Sequence, residues 1–402
     1  MNDAISIAAL VLSFSVIIYL VANKKNFGVA MIAGALLLGV LTNPEKIPKI
    51  FYDSITDWKV DSLIVIVILI KIFATVLQET GQISLVIENL KRVIPERGML
   101  AITPFIFGLL PVPGGALLSA PMVDTQGKRL DVSEEGKTFI NLWFRHIGFL
   151  IFPLSTALVI MSQLSRVNIN NLIVIQTPIF IVSIVLGSFY ILKLSKKKVK
   201  KEMKKREKKE IILETTINFM PLILTIAMTF ILSLFIYLNI AFLVALPSGI
   251  FLSLFIHGEK NKSEIIKKGF SASLAIAVFS IMFYKNITNV SGVTEIAAKY
   301  LQNTSTTALV IIPILSFTIG VLTAHNMAAI ALAYPMLYPL IGNNVHLVSL
   351  LYVSSFMGYL ISPLHLCVVV SYEYFKPKFV ELYKLMIPPA ILMVLIAVIF
   401  SL

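Results

Sequence analysis

Residues 148–154 read Gly-Phe-Leu-Ile-Phe-Pro-Leu, and residues 358–364 read Gly-Tyr-Leu-Ile-Ser-Pro-Leu. Five of the seven positions agree at a shift of 210. In a chain rich in Leu and Ile one such match carries little, but others agree with it. Gly81 pairs with Gly292 at a shift of 211, each closing an apolar run and opening a short helix. Pro121-Met122 pairs with Pro335-Met336 at a shift of 214, each expected to close an interrupted apolar stretch. The short helices correspond too, residues 83–92 with 293–302. In the first, Ile83, Val86, Ile87 and Leu90 share one face and leave Glu88, Lys91 and Arg92 off it. That spacing suits a helix lying in a membrane interface.

The surroundings of these motifs set the class. Of 402 residues, 57% are hydrophobic and only 14% charged, and the mean hydropathy is +0.90. Soluble domains carry about a quarter charged residues, and disorder needs low hydrophobicity, so both are excluded. Apolar runs long enough for the roughly 20 residues of a membrane span fall at 4–22, 27–42, 60–80, 138–162, 171–194, 212–238, 240–257, 268–288, 347–371 and 385–402. Two further stretches, 99–124 and 306–340, are interrupted near their middles by Pro, Gly and polar residues and read as re-entrant hairpins.

The net charge of +13 then reads as membrane topology rather than nucleic-acid binding, because the excess sits in loops beside apolar runs. With the basic linker 195–211 cytoplasmic, ten crossings and two non-crossing hairpins place 26 of the 34 Lys and Arg inside and both termini outside. Making either hairpin a crossing sends later basic loops to the wrong side. The first run has Asp3 before it and Lys24-Lys25 after it, the reverse of a signal peptide. Cys367, the single cysteine, lies within an apolar run and cannot form an intramolecular disulfide. Each half thus reads as three spans, an interfacial helix, a hairpin, a broken span and a last span. Five crossings per half is odd, so the halves have opposite orientation. Inverted repeats with interrupted segments at matching places point to a secondary transporter.

The order of these segments resembles the ion-transporter superfamily of citrate, dicarboxylate and gluconate carriers. The hairpin Gly108-Leu-Leu-Pro-Val-Pro-Gly-Gly-Ala-Leu-Leu-Ser-Ala-Pro-Met122 looks closest to the prokaryotic domain-of-unknown-function family 401. The resemblance implies an all-α polytopic fold of elevator type in the cytoplasmic (inner) membrane of a prokaryote. It also implies a homodimer whose scaffold is 1–98 and 212–305, joined by the linker 195–211 to transport halves 99–194 and 306–402. Sodium-coupled dicarboxylate carriers show Ser-Asn-Thr at both hairpin tips. Here the tips read Pro111-Val-Pro-Gly-Gly115 and Thr323-Ala-His-Asn326, a departure that bears on both coupling ion and substrate.

Broken backbone inside a membrane survives only where protein or a wet cavity satisfies it. Pro111 and Pro113 stop the incoming half-helix, Gly114 and Gly115 admit a ligand close to the backbone, and the outgoing half-helix aims its positive end at the tip. A compact packing turn is the plainer alternative. The second tip offers Thr323, His325 and Asn326 as hydrogen-bonding side chains, and His325, with a reference pKa of about 6.5, is also a candidate proton carrier. Ser155 and Thr156 after Pro153, and Ser362 and His365 around Pro363, either build a cation site with unwound carbonyls or re-satisfy the broken helices. Arg145, beside His146, either clamps an anion or snorkels to the interface. Lys71 near mid-span is expected in an interhelical ion pair, and Asp124 at a cap or gate.

The substrate-binding set is therefore Pro113, Gly114, Gly115, Thr323, His325, Asn326 and Arg145, and the coupling set Ser155, Thr156, Ser362 and His365. The expected function is secondary transport of a small carboxylate-like anion, with sodium or protons as coupling ion, no other cofactor and no nucleic-acid partner. A lipid-directed carrier is the alternative, favouring a lateral opening and an apolar-lined site. An intramembrane enzyme is disfavoured: no zinc-protease helix, serine elbow or phosphate loop occurs, and acids and histidines are scattered. A passive channel fits two closed tips poorly.

Overall fold

A computed structural model describes residues 3–110, 115–192, 205–257, 261–293, 296 and 305–402. The described residues are helical, with no strand among them. Eight helical segments are long and apolar enough to cross a membrane: Ile5–Ala22, Trp58–Glu79, Ile169–Leu192, Lys208–Leu232, Leu238–Ile256, Lys262–Val290, Val345–Phe375 and Phe379–Ile399. Their surfaces fit that medium. Val174, Ile181, Val185 and Phe189 stand exposed along Ile169–Leu192, a strip that would be an aggregation liability in water. The chain is a multi-pass membrane protein by these features.

Those eight coincide with eight of the ten expected spans. The other two are the 16-residue helix Phe27–Thr42, and a span that divides into Glu134–Ile147 and Thr156–Ser165. The expected hairpins are helix pairs. The first consists of Glu96–Gly108 and Ala116–Arg129, and the second of Ser305–Thr323 and Asn326–Ile341. One expectation is corrected. Pro121 and Pro335 do not close the hairpins but lie inside their second helices. The paired glycines share a conformation, Gly81 at φ +73° and Gly292 at φ +76°, the left-handed region that only glycine enters without strain. After Gly81, the helix Gln82–Val93 buries Ile83, Val86 and Ile87 and exposes Glu88, Lys91 and Arg92. Most of its expected counterpart, 293–302, lies outside the described residues, as do 193–204 of the linker and the tip residues 111–114, which include Pro113 and Gly114.

Two breaks follow from proline. Pro153 separates Glu134–Ile147 from Thr156–Ser165, and Pro363 separates Val345–Ile361 from Leu366–Phe375. Each proline withholds the N–H that would have bonded four residues back. For Pro153 the orphaned acceptor is the Phe149 carbonyl, and the Tyr352 hydroxyl donates to it at 2.9 Å. In each half the first hairpin helix packs on the first part of the broken helix. The second parts cross over: Leu366–Phe375 packs on Ala116–Arg129, and Thr156–Ser165 packs on Asn326–Ile341. A second group, in which Phe27–Thr42 packs on Ala272–Val290 and Trp58–Glu79 on Leu238–Ile256, flanks this assembly.

The hairpin-to-broken-helix contacts are backbone-close. A Cβ on Gly108 would strike the Arg145 carbonyl, one on Gly320 the Ser355 carbonyl, and one on Gly358 the Phe317 carbonyl. Because the obstacle is backbone, it cannot swing aside. Gly358→Ala is expected to cost about 1–3 kcal/mol of stability by overpacking. A lowered melting temperature in detergent, with the surface variant Ser248→Ala unchanged, checks this.

Candidate functional site

A cavity of about 260 Å³ lies where the two breaks, the second hairpin tip and Trp58–Glu79 meet. This is just below the usual range for drug-sized ligands and suits a small metabolite. Of the expected site residues, Arg145, Ser155, Thr156, His325, Asn326 and His365 line it. Gly115, Thr323 and Ser362 are not in the lining. Gly115 caps the helix Ala116–Arg129. Thr323 bonds back to the Ile319 carbonyl at 2.8 Å, and Ser362 donates to the Val321 carbonyl at 2.6 Å, tying the second break to the second hairpin.

Three helices begin at the cavity. Thr156, Asn326 and Leu366 are each the first residue of a helix and each lines the wall. Their N-terminal amides and dipole ends converge on one space, an arrangement that attracts negative charge. The tip is formed locally: Ala324 turns at φ +49°, and His325 caps the following helix by accepting from the Ala328 amide at 3.4 Å. The His325 ring also stacks on Phe27 with centroids 4.9 Å apart.

Lys71 and Arg145 are the formally charged side chains of the lining, and no Asp or Glu is in it among the described residues. Arg145 is 2% exposed, so it faces the interior rather than snorkelling. Lys71, expected in an ion pair, lines the cavity and forms no ion pair among the described residues. Among the described residues the buried Arg145 Nη1 makes no hydrogen bond, and the buried Asn326 amide and His365 ring have only marginal partners, the Tyr352 hydroxyl and the Leu360 carbonyl. Buried polar groups are nearly always paired, so a cluster of weakly met groups in one cavity marks a place built to meet something else.

Sequence reasoning missed Lys71, His146, Tyr359 and Cys367 as wall residues. It also missed Asn141, which accepts from Ser119 Oγ at 2.6 Å and donates to the Ala116 carbonyl and Ser371 Oγ at 3.0 and 3.2 Å. That one amide joins the first hairpin to both broken helices.

At the hydrophilic end of the first hairpin, Asp124 holds Lys137 and Lys128, each at 2.7 Å, and Glu134 holds Lys137 at 2.8 Å. The Lys137 side chain is 1% exposed, and its stem passes Gly127, where a Cβ would lie 2.6 Å from its Cδ. Burial works against the Asp124 carboxylate, but the hydrogen bonds and charges of Lys128 and Lys137 outweigh it and hold its pKa below the ordinary value.

The chain matches, over residues 5–402, the family described as "Protein of unknown function (DUF401)", and it belongs to that family. No curated protein matches it.

Two outcomes are expected. Asn141→Ala, which removes the buried bonds to Ser119, Ala116 and Ser371, should lower stability by about 1–3 kcal/mol in a thermal melt. Because the folded pKa of Asp124 is depressed, its contribution is complete above the ordinary carboxylate pKa of about 4 and is lost as pH falls through the lower folded value. Melting temperatures of wild type and Asp124→Asn should therefore converge below about pH 4.

Proposed function

Starting from a multi-pass membrane member of that family, we propose that the chain is a secondary active carrier of a small carboxylate-like anion. The carrying observation is the cavity: two cations, Lys71 and Arg145, no acid among its described lining residues, and three helix N-termini. Arg145 Nη1 supplies a buried donor without a partner among the described residues, and the Asn326 amide lies beside it in the wall. An anion accepts from all of them and neutralises the pair of charges.

In this reading the two halves are inverted repeats, and the cavity lies at the level where such carriers bind their cargo. The shared left-handed glycines, the two proline breaks and the reciprocal crossing of the second half-helices support it. The hairpins and broken helices form the transport element and the flanking helices the scaffold, as in ion-transporter superfamily carriers of elevator type. Lys71 comes from the scaffold and Arg145 from the transport element, so bound anion spans the two. Coupling is to protons or sodium, with His325, His365, Ser155 and Thr156 as the wall residues available for it. The working unit is a homodimer in the cytoplasmic membrane, with the linker 195–211 inside.

A lipid-directed carrier is favoured by one observation, the many apolar side chains in the wall, among them Leu109, Leu110, Phe149 and Phe152. Those side chains also suit an anion with an apolar body.

The test is thermal unfolding of detergent-purified protein against small carboxylates, phosphate and phosphonates, with and without sodium, at two pH values. A ligand at 100 times its dissociation constant should add about 2.7 kcal/mol. Arg145→Gln should weaken the binding of a carboxylate hit by about 10–100-fold, the worth of a charged hydrogen bond. Lys71→Met should weaken it in the same direction. Stabilisation by lipid alone, or a hit indifferent to both substitutions, would sink the small-anion reading.

A further inference from the structure

The wall of the cavity holds a second constellation that anion binding leaves unused. One donor atom from each of His146, His365 and Cys367 lies within 4.8 Å of the others, and all three residues are buried. They are brought together by the breaks. His146 is in the last turn of Glu134–Ile147, His365 caps Leu366–Phe375, and Cys367 is in its first turn.

The ring of His146 is already oriented for ligation. Its Nδ1 lies 2.7 Å from the Leu142 carbonyl. A carbonyl can only accept, so Nδ1 carries the proton and Nε2 keeps a lone pair. Histidines bound to metals are held in this way, by a hydrogen bond from the other ring nitrogen to a backbone carbonyl or carboxylate. The ring of His365 is 4.9 Å from that of His146, centroid to centroid, and the Leu360 backbone carbonyl is the acceptor within its reach. A neutral imidazole whose one N–H faces a carbonyl keeps a lone pair on its other nitrogen for a metal.

We propose that His146, His365 and Cys367 hold a thiophilic divalent cation, with zinc as the type, in a three-ligand site whose fourth position opens on the cavity. Two imidazoles and a thiolate select zinc over magnesium or calcium, which take oxygen ligands. Three protein ligands with one open position is the pattern of sites that accept an exogenous ligand. With bonds of about 2.0–2.3 Å the donors must draw together from their present separation. Side-chain rotation at a cavity wall allows that. Coordination displaces the thiol proton to solvent, so a divalent ion and the thiolate together carry one positive charge. The Arg145 guanidinium, within hydrogen-bonding reach of Cys367, supports the sulfur from outside. With no carboxylate among the described wall residues to balance the ion, its open position is completed by an anion. That last point rests on the carrier reading, whereas the three-ligand site does not.

The experiment uses the full chain in detergent, stripped with a chelator, dialysed, and titrated with cobalt(II) as a spectroscopic stand-in and with zinc by calorimetry. The expected result is a cobalt–thiolate charge-transfer band that saturates at one ion per chain, is displaced by zinc and is untouched by magnesium. Cys367→Ser should abolish the band. His365→Gln should weaken zinc by more than the roughly 10–100-fold that losing an outer partner of a ligand costs. If Cys367→Ser does not fold, His365→Gln carries the test, with its melting temperature as the control. Absence of saturable binding, heat from zinc without a cobalt–thiolate band, or equal binding by wild type and His365→Gln overturns the site. Anion binding is measured separately on stripped protein by thermal shift with acetate and phosphate, so failure of the metal site and failure of the carrier reading give different results.

Discussion

A helix that stops inside an apolar medium leaves carbonyls and amides that lipid cannot satisfy, and the architecture around the cavity follows from having to meet them. Pro153 orphans the Phe149 carbonyl, and a tyrosine from the other broken helix, Tyr352, meets it. At the second break Ser362 reaches the Val321 carbonyl at the end of the second hairpin. Near the first hairpin tip Asn141 takes the Ala116 carbonyl. The Asn141 and Ser362 bonds tie each hairpin to its own broken helix, while the Tyr352 bond, with that from Asn141 to Ser371, joins the two halves of the chain. What remains uncovered is a set of three helix starts around a common space, and this is why the polar groups collect there.

The part of this that sequence conveys is the local part. Apolar runs, proline positions and the glycine pair are decided by residues within a few positions of one another, so the helices, the hairpins and both breaks could be read from the chain. Gly81 and Gly292 illustrate the strength of such signals, since a match in sequence became a match in backbone angle. Where the signal was only a matching dipeptide, as with Pro121 and Pro335, the reading went wrong, because a membrane helix tolerates proline when its neighbours cover the loss.

The site was legible only in part, and the division has a physical basis. Residues at the breaks announce themselves by being polar within apolar runs, which is how Arg145, Ser155, Thr156, His325, Asn326 and His365 were found. Lys71 announces itself equally well, but its lack of a near acid can mean a distant partner or a ligand, and only packing decides between them. Cys367 gives no signal at all, being an ordinary apolar residue until two histidines stand beside it. Thr323 and Ser362 are also polar at a break, but both spend their hydroxyls on backbone carbonyls and are absent from the cavity lining.

The glycine contacts between each hairpin and its broken helix have a mechanical consequence. Where Gly320 and Gly358 let backbone meet backbone, the two helices are in register like a pawl in a ratchet. One cannot advance along the other without lifting away first, and lifting exposes the bond from Ser362 to Val321. Each hairpin and its broken helix therefore behave as one stiff body at thermal energies.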